Sequence, residues 1–110
     1  MEIQKGVNGD VAVLKLDGRL DLESSTVLKS ATNELIQDKF NKMIFDLQSV
    51  DFINSSGLGA LVSILKNVRS NQGNLKLSGL APYVKEVFDI TQLSNIFEIY
   101  QDEQQAMESF

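Results

Sequence analysis

Neither cysteine nor histidine occurs among the 110 residues of this chain. Without cysteine there can be no disulfide framework and no thiolate metal site. Without histidine the chain has neither the most frequent general base nor the commonest metal ligand, and no Ser-His-Asp triad can be assembled. We therefore predict a protein that is not an enzyme, with no catalytic residue, no metal and no cofactor.

Positive charge and long apolar runs are also scarce. Lys and Arg number 10 against 15 Asp and Glu, and the resulting net charge of -5 argues against direct binding of nucleic acid. The most apolar window, residues 57–65, is far shorter than the roughly 18 residues of a membrane span. The N-terminus has no secretory pattern. We expect a cytoplasmic protein without a membrane partner.

The length and the 43% hydrophobic content fit one domain over residues 1–110. Hairpin, strand and helix patterns predict an α/β fold with the order ββαβαβαβα.

Asn8-Gly9 marks the hairpin turn, Gly18 is expected to end the second strand, and Asp21 or Ser24 is expected to cap the first helix. The segments behind this order are residues 2–7, 11–16, 27–35, 43–47, 58–68, 75–78, 82–88, 96–100 and 102–110, and the inward positions of the first helix are Val27, Leu28, Ala31 and Leu35.

A short turn follows the third predicted strand and carries the sequence Asn54-Ser55-Ser56-Gly57-Leu58-Gly59. Asn54 or Ser55 can cap the helix that follows, and the Ser55 hydroxyl should be reachable from solvent. A phosphoryl group on Ser55 would lie near the free amides and the positive dipole end of that helix. In the plainer interpretation, these polar residues only cap the helix.

Residues 50–61 resemble the signature of the bacterial anti-sigma factor antagonists, which are stand-alone STAS domains. Gly18-Arg19-Leu20-Asp21 is similar to the Gly-x-Leu-Asp turn of that family, and residues 82–88 are similar to its third helix. The resemblance covers nearly the whole chain. It implies a STAS-like mixed β-sheet of about five strands packed with four helices.

The resemblance also implies a phosphorylation-controlled binding switch that regulates transcription. In the family, the unphosphorylated antagonist binds an anti-sigma factor that is also a serine kinase, so that a sigma factor is released; the kinase then phosphorylates the antagonist, and a serine phosphatase resets it. By resemblance Ser55 is the phosphorylated residue. The resemblance also implies a partner-binding surface made of Asp21, Asn54, Ser55, Ser56, Gly57 and Leu58, with Asn54 standing where the family usually has aspartate.

Two other functions stay open from the sequence. The chain could be a STAS scaffold subunit of a transporter or a larger sensory complex, with Ser55 serving only as a cap. The glycine-rich turn could bind a small ligand at the strand ends. Asp46 and Asp51 suggest a metal or phospho-aspartate site, but carboxylates at strand ends more often bind local amides, and we expect that here.

Overall fold

The computed structural model describes residues 1–110 and contains one five-stranded sheet in the order β1-β2-β3-β4-β5. Strand β1 is antiparallel to β2, and every later strand is parallel to its neighbour. The mixed sheet predicted from the sequence is confirmed. The strands are β1 (Glu2–Asn8), β2 (Val11–Leu20), β3 (Lys42–Ile53), β4 (Asn74–Ser78) and β5 (Glu98–Tyr100).

Four α-helices connect or follow the parallel strands, as predicted. They are α1 (Leu22–Gln37), α2 (Ser55–Ser70), α3 (Pro82–Ile90) and α4 (Glu103–Glu108), and a short 3-10 helix spans Leu93–Asn95. None of these helices has both the length and the apolar content needed to cross a membrane. Because β2, β3 and β4 are parallel, α1, α2 and α3 all begin at the same edge of the sheet.

The apolar residues form two cores on opposite faces of the sheet. The larger core joins the three long helices to one face, with Leu28, Leu61 and Phe88 fully buried against residues such as Phe45. The smaller core lies on the other face, where Ala106 of α4 packs with Val11, Val13 and Ile44. The alternation of side chains along each strand produces this separation, since neighbours such as Ile44 and Phe45 point to opposite faces.

Both central strands are longer than the sequence indicated. Gly18 does not end β2: it takes a positive φ of 116°, and the register of β2 against β3 shifts on both sides of it, so that the strand continues to Leu20 through an irregularity. Strand β3 likewise runs to Ile53 rather than ending at Leu47. The predicted helix-starting turn is correspondingly short and begins directly after the strand.

Two local predictions were wrong. Val27 is 52% exposed, although Leu28 and Leu35 are buried as predicted; Ser24, Ser25 and Thr32 complete the buried face of α1. Ile96 and Phe97 precede β5 rather than belonging to it, and only residues 98–100 pair with β4. Phe97 is buried against Phe88, so its apolar character reflects packing in the larger core rather than strand formation.

Candidate functional site

Asn54 is the residue that caps helix α2. Its backbone is extended, and its side-chain Oδ1 accepts a hydrogen bond of 3.0 Å from the amide of Gly57. An Asn side chain is among the strongest N-caps, because it satisfies an amide that the helix leaves without a partner. Of the two caps that the sequence allowed, Asn54 fills the position, and Ser55 becomes the first residue of the helix.

Ser55 and Ser56 are both exposed at the start of α2. Since Asn54 supplies the cap, the Ser55 hydroxyl is not needed to hold the helix end. It stands at the end of the helix where amide groups and the dipole favour negative charge. A phosphorylation site must be accessible to a kinase, and the exposure of Ser55 meets this requirement.

Gly57 brings the first turn of α2 against the end of β2. A Cβ atom at residue 57 would lie 2.2 Å from the carbonyl oxygen of Leu20, a distance that no side chain can occupy. The same Leu20 oxygen accepts a hydrogen bond of 3.3 Å from the amide of Asn54. Leu20 therefore ties the loop before α1 to the turn that contains Ser55.

Asp21 lies next to that contact and caps helix α1. Its carboxylate accepts a hydrogen bond of 3.1 Å from the Ser24 amide, and the Asp21 amide donates to the Ser24 hydroxyl at 2.9 Å. The buried Ser25 hydroxyl donates to the carbonyl oxygens of Asp21 and of Ser56, the latter at 3.4 Å. These bonds join the beginnings of α1 and α2 into one unit.

Arg19 covers the outer side of the same loops. Its Nε lies 3.8 Å from the Asp21 carboxylate, and its guanidinium carbon lies 3.9 Å from the centre of the Phe52 ring. The pKa of the Asp21 carboxyl is lowered from its ordinary value, mainly by the hydrogen bond from the Ser24 amide and less by the charge of Arg19. Asp21 therefore keeps its negative charge to a lower pH than an ordinary aspartate.

The structure thus brings together the residues that the sequence proposed for partner binding. Asp21 and Asn54 are half-buried caps, Ser55 and Ser56 are exposed, Gly57 is buried, and Leu58 packs partly against the larger core. Beside them lies an apolar residue that the sequence analysis did not select, Leu22, which is 71% exposed. The sequence could have indicated Leu22 through its position directly after the Asp21 cap.

Three contacts at the site were not anticipated: Leu20 with Gly57, Arg19 with Phe52, and Ser25 with Ser56. Each joins segments more than thirty positions apart. Asp46, by contrast, behaves as expected, because its carboxylate accepts a hydrogen bond of 3.0 Å from the Gln48 amide. These contacts hold the start of α2 against the loop before α1 and leave Ser55 and Ser56 exposed.

Comparison with known proteins places this geometry in a family context. The family model described as STAS domain matches residues 2–106. A protein of Bordetella bronchiseptica named as a candidate anti-sigma factor antagonist is 31% identical, over 87% of this chain and 90% of its own length. An anti-sigma F factor antagonist of Paenibacillus polymyxa is 26% identical, over 97% of this chain and 92% of its own.

A solved structure agrees with these sequence matches. The crystal structure of a candidate anti-sigma factor antagonist from Thermotoga maritima superposes with a TM-score of 0.91 at 30% sequence identity. The superposition covers 97% of this chain and 92% of that one. The similarity therefore extends over both helical layers and the whole sheet.

Proposed function

Because the chain belongs to the STAS domain family, we propose that it acts as an anti-sigma factor antagonist whose binding is controlled by phosphorylation of Ser55. The observation that carries the proposal is the exposed Ser55 at the start of α2, beside Asp21 and free of the capping task that Asn54 performs. The names of the similar proteins support the same regulatory role. The chain is then a ligand and a kinase substrate rather than a catalyst.

The unphosphorylated chain binds an anti-sigma factor that is also a serine kinase, and this binding releases a sigma factor. The kinase transfers the γ-phosphoryl group of ATP to the Ser55 oxygen, ADP leaves, and the hydroxyl proton passes to a base of the kinase. A serine phosphatase later hydrolyses the phosphate ester. The docking surface consists of Asp21 with the turn residues Asn54, Ser55, Ser56, Gly57 and Leu58.

Phosphorylation weakens docking for an electrostatic reason. A phosphoserine carries about -1.5 to -2 charge at neutral pH, and the surface of the anti-sigma factor, which is shaped to receive a hydroxyl, provides no partner for that charge. Desolvation of that charge and repulsion from acidic neighbours oppose complex formation. If the combined cost is about 3 kcal/mol, the affinity falls about a hundredfold.

Asn54 fits this function although the family usually has aspartate there. The cap geometry is kept, since Asn54 accepts the Gly57 hydrogen bond that an aspartate would accept. What changes is the charge beside the acceptor hydroxyl. The partner kinase of this chain therefore recognises a neutral residue before the phosphorylated serine.

The test is a calorimetric titration of the chain with the candidate anti-sigma kinases encoded in the same genome. Ser55→Ala should bind as tightly as the unmodified protein and should not gain a phosphoryl group with ATP, whereas Ser55→Asp should bind at least tenfold more weakly. Ser56→Ala is the matched control, because Ser56 is also exposed and lies one residue away. It should be phosphorylated normally.

Three results would contradict the proposal. Equal affinity of the unmodified and Ser55→Asp proteins would show that charge at Ser55 does not control docking. A phosphoryl group mapped to Ser56 by intact and peptide mass would show that Ser55 is not the phosphorylated residue. Binding to a membrane transporter instead of an ATP-binding kinase would favour the scaffold function.

A further inference from the structure

Arg19 holds an unusual position between the two loops of the site. It is the register partner of Phe52 across the parallel strands β2 and β3, and its guanidinium carbon lies over that ring, 3.9 Å from the ring centre. The only carboxylate with which it forms an ion pair is that of Asp21, through Nε at 3.8 Å. The side chain is 61% exposed, so its remaining N–H donors face solvent.

A backbone hydrogen bond joins the segment that contains Arg19 to the segment that contains Ser55. The amide of Asn54 donates to the carbonyl of Leu20, and Arg19 precedes Leu20 directly while Ser55 follows Asn54 directly. Arg19 is also the only cationic residue in the two loops, residues 17–24 and 50–58. A phosphate on Ser55 would therefore have one positive side chain within the loops of the site itself.

Building on the proposed phosphorylation of Ser55, we propose that Arg19 exchanges partners with the modification: it pairs with Asp21 in the unmodified protein and binds the phosphate in the phosphorylated one. Its guanidinium fork matches a phosphate, which can accept two parallel hydrogen bonds. A dianion attracts it about twice as strongly as a single carboxylate at the same distance. The ring of Phe52 supports the cation in both positions.

The exchange has a consequence for docking. Asp21 loses its cation when the phosphate gains it, so phosphorylation changes the charge at two places on the partner-binding surface. One chemical event at Ser55 thereby alters both loops. In this scheme Arg19 binds neither the kinase nor the sigma factor. It acts only by changing its partner within the chain, from Asp21 to the phosphate.

The test uses protein with phosphoserine installed at residue 55 during synthesis, followed by phosphorus-31 NMR across pH 4 to 9. An adjacent guanidinium favours the dianion, so the phosphorus signal of the otherwise unmodified sequence should titrate at lower pH than that of Arg19→Gln. Arg19→Lys, which keeps the charge but not the fork, should fall between them. The Nε–H proton resonance of Arg19 should also shift on phosphorylation.

Arg69→Gln is the matched control. It removes the same charge from the other end of helix α2, which at 16 residues is about 24 Å long. Equal titration curves for the Arg19→Gln and parent phosphoproteins, or an equal displacement by Arg69→Gln, would overturn the proposal. Nitrogen-proton correlation spectra establish that each variant is folded before it is titrated.

This experiment is separate from the test of the proposed function. It needs no kinase and no anti-sigma factor, because the phosphate is supplied by synthesis. A chain that binds no anti-sigma factor could still show the Arg19 exchange. Conversely, a phosphate that controls docking without any change in the Arg19→Gln titration would leave the function standing and remove the exchange.

Discussion

Gly57 and Gly59 are separated by one residue of the same helix but have opposite surroundings. Gly57 is buried with its Cα against the Leu20 carbonyl, whereas nothing lies within 4 Å of the place where a Cβ of residue 59 would stand. Glycine is required at residue 57 because there is no room for a Cβ atom. At residue 59 it only lowers the stability of a helix interior.

The two positions should respond oppositely to the same substitution. We expect Gly57→Ala to lower the free energy of unfolding by about 1 to 3 kcal/mol, because α2 must move away from β2. We expect Gly59→Ala to raise it by about 0.5 to 1 kcal/mol through helix propensity. Urea unfolding followed by circular dichroism measures both, and a destabilised Gly59→Ala protein would contradict the assignment.

Helix α4 is attached to the sheet through a buried cation. The ammonium of Lys76, whose side chain is 5% exposed, donates to the backbone oxygen of Ser109 at 2.9 Å and to its hydroxyl at 2.6 Å. It also lies 4.3 Å from the ring centre of Phe110. This polar connection adds to the packing of Ala106 in the smaller core, and together they hold the six-residue helix on the sheet.

Replacing Lys76 by Met should release the end of the chain locally. The stability of the whole protein should change little, because removing a buried charge also removes its desolvation cost. The amides of residues 105–110 should exchange hydrogen about tenfold faster, since Ser109 loses its partner. Lys66→Met, on the exposed face of α2, is the control. Unchanged exchange in Lys76→Met would show that apolar packing alone holds α4.

The order of the elements could be predicted from the sequence because it depends on local signals. Asn8-Gly9, Pro82 and the spacing of residues such as Leu61 and Leu65 act within a few positions, and they lie in the structure where they were expected. The start of α2 at Ser55 followed from the same kind of signal. The prediction stopped at Leu47 for β3 because charged and polar residues follow it, although the strand continues to Ile53.

The contacts that shape the site could not be predicted in the same way. Arg19 meets Phe52, and Leu20 meets Gly57, only because of the register between β2 and β3. That register shifts twice between Lys15 and Arg19, and a shift of one residue turns every later side chain to the other face. The hydroxyl at the centre of the proposed function was evident, but its neighbours required coordinates.

The protein has a net charge of -5, and carboxyl groups in different parts of the fold determine how its stability responds to acid. Two carboxyls, those of Asp10 and Asp21, have pKa values lowered from the ordinary 3.8. For Asp10 the main cause is the hydrogen bond from Lys42 at 2.8 Å, and for Asp21 it is the Ser24 amide. The folded state therefore binds protons less readily than the unfolded state at these positions.

The sign of this difference predicts when stability is lost. The contribution of both carboxylates is present above their unfolded pKa of 3.8 and is lost as the pH falls through the lower folded values. Between pH 5 and pH 2, the melting temperature of the double variant Asp10→Asn, Asp21→Asn should fall less than that of the parent protein. The helix cap is kept in this variant, because Asn is also a good N-cap at residue 21. Melting curves that fall in parallel would contradict these pKa directions.

The hairpin at Asn8 and Gly9 lies at the opposite end of the sheet from Ser55. Gly9 takes a φ of 64° there, and the ten residues of β2 separate this turn from Leu20 by about 30 Å. A fluorophore or a surface tether placed on this hairpin would leave the helix-starting edge open to a docking protein. Immobilised sensors for the phosphorylation state can therefore be built from the hairpin end of the molecule.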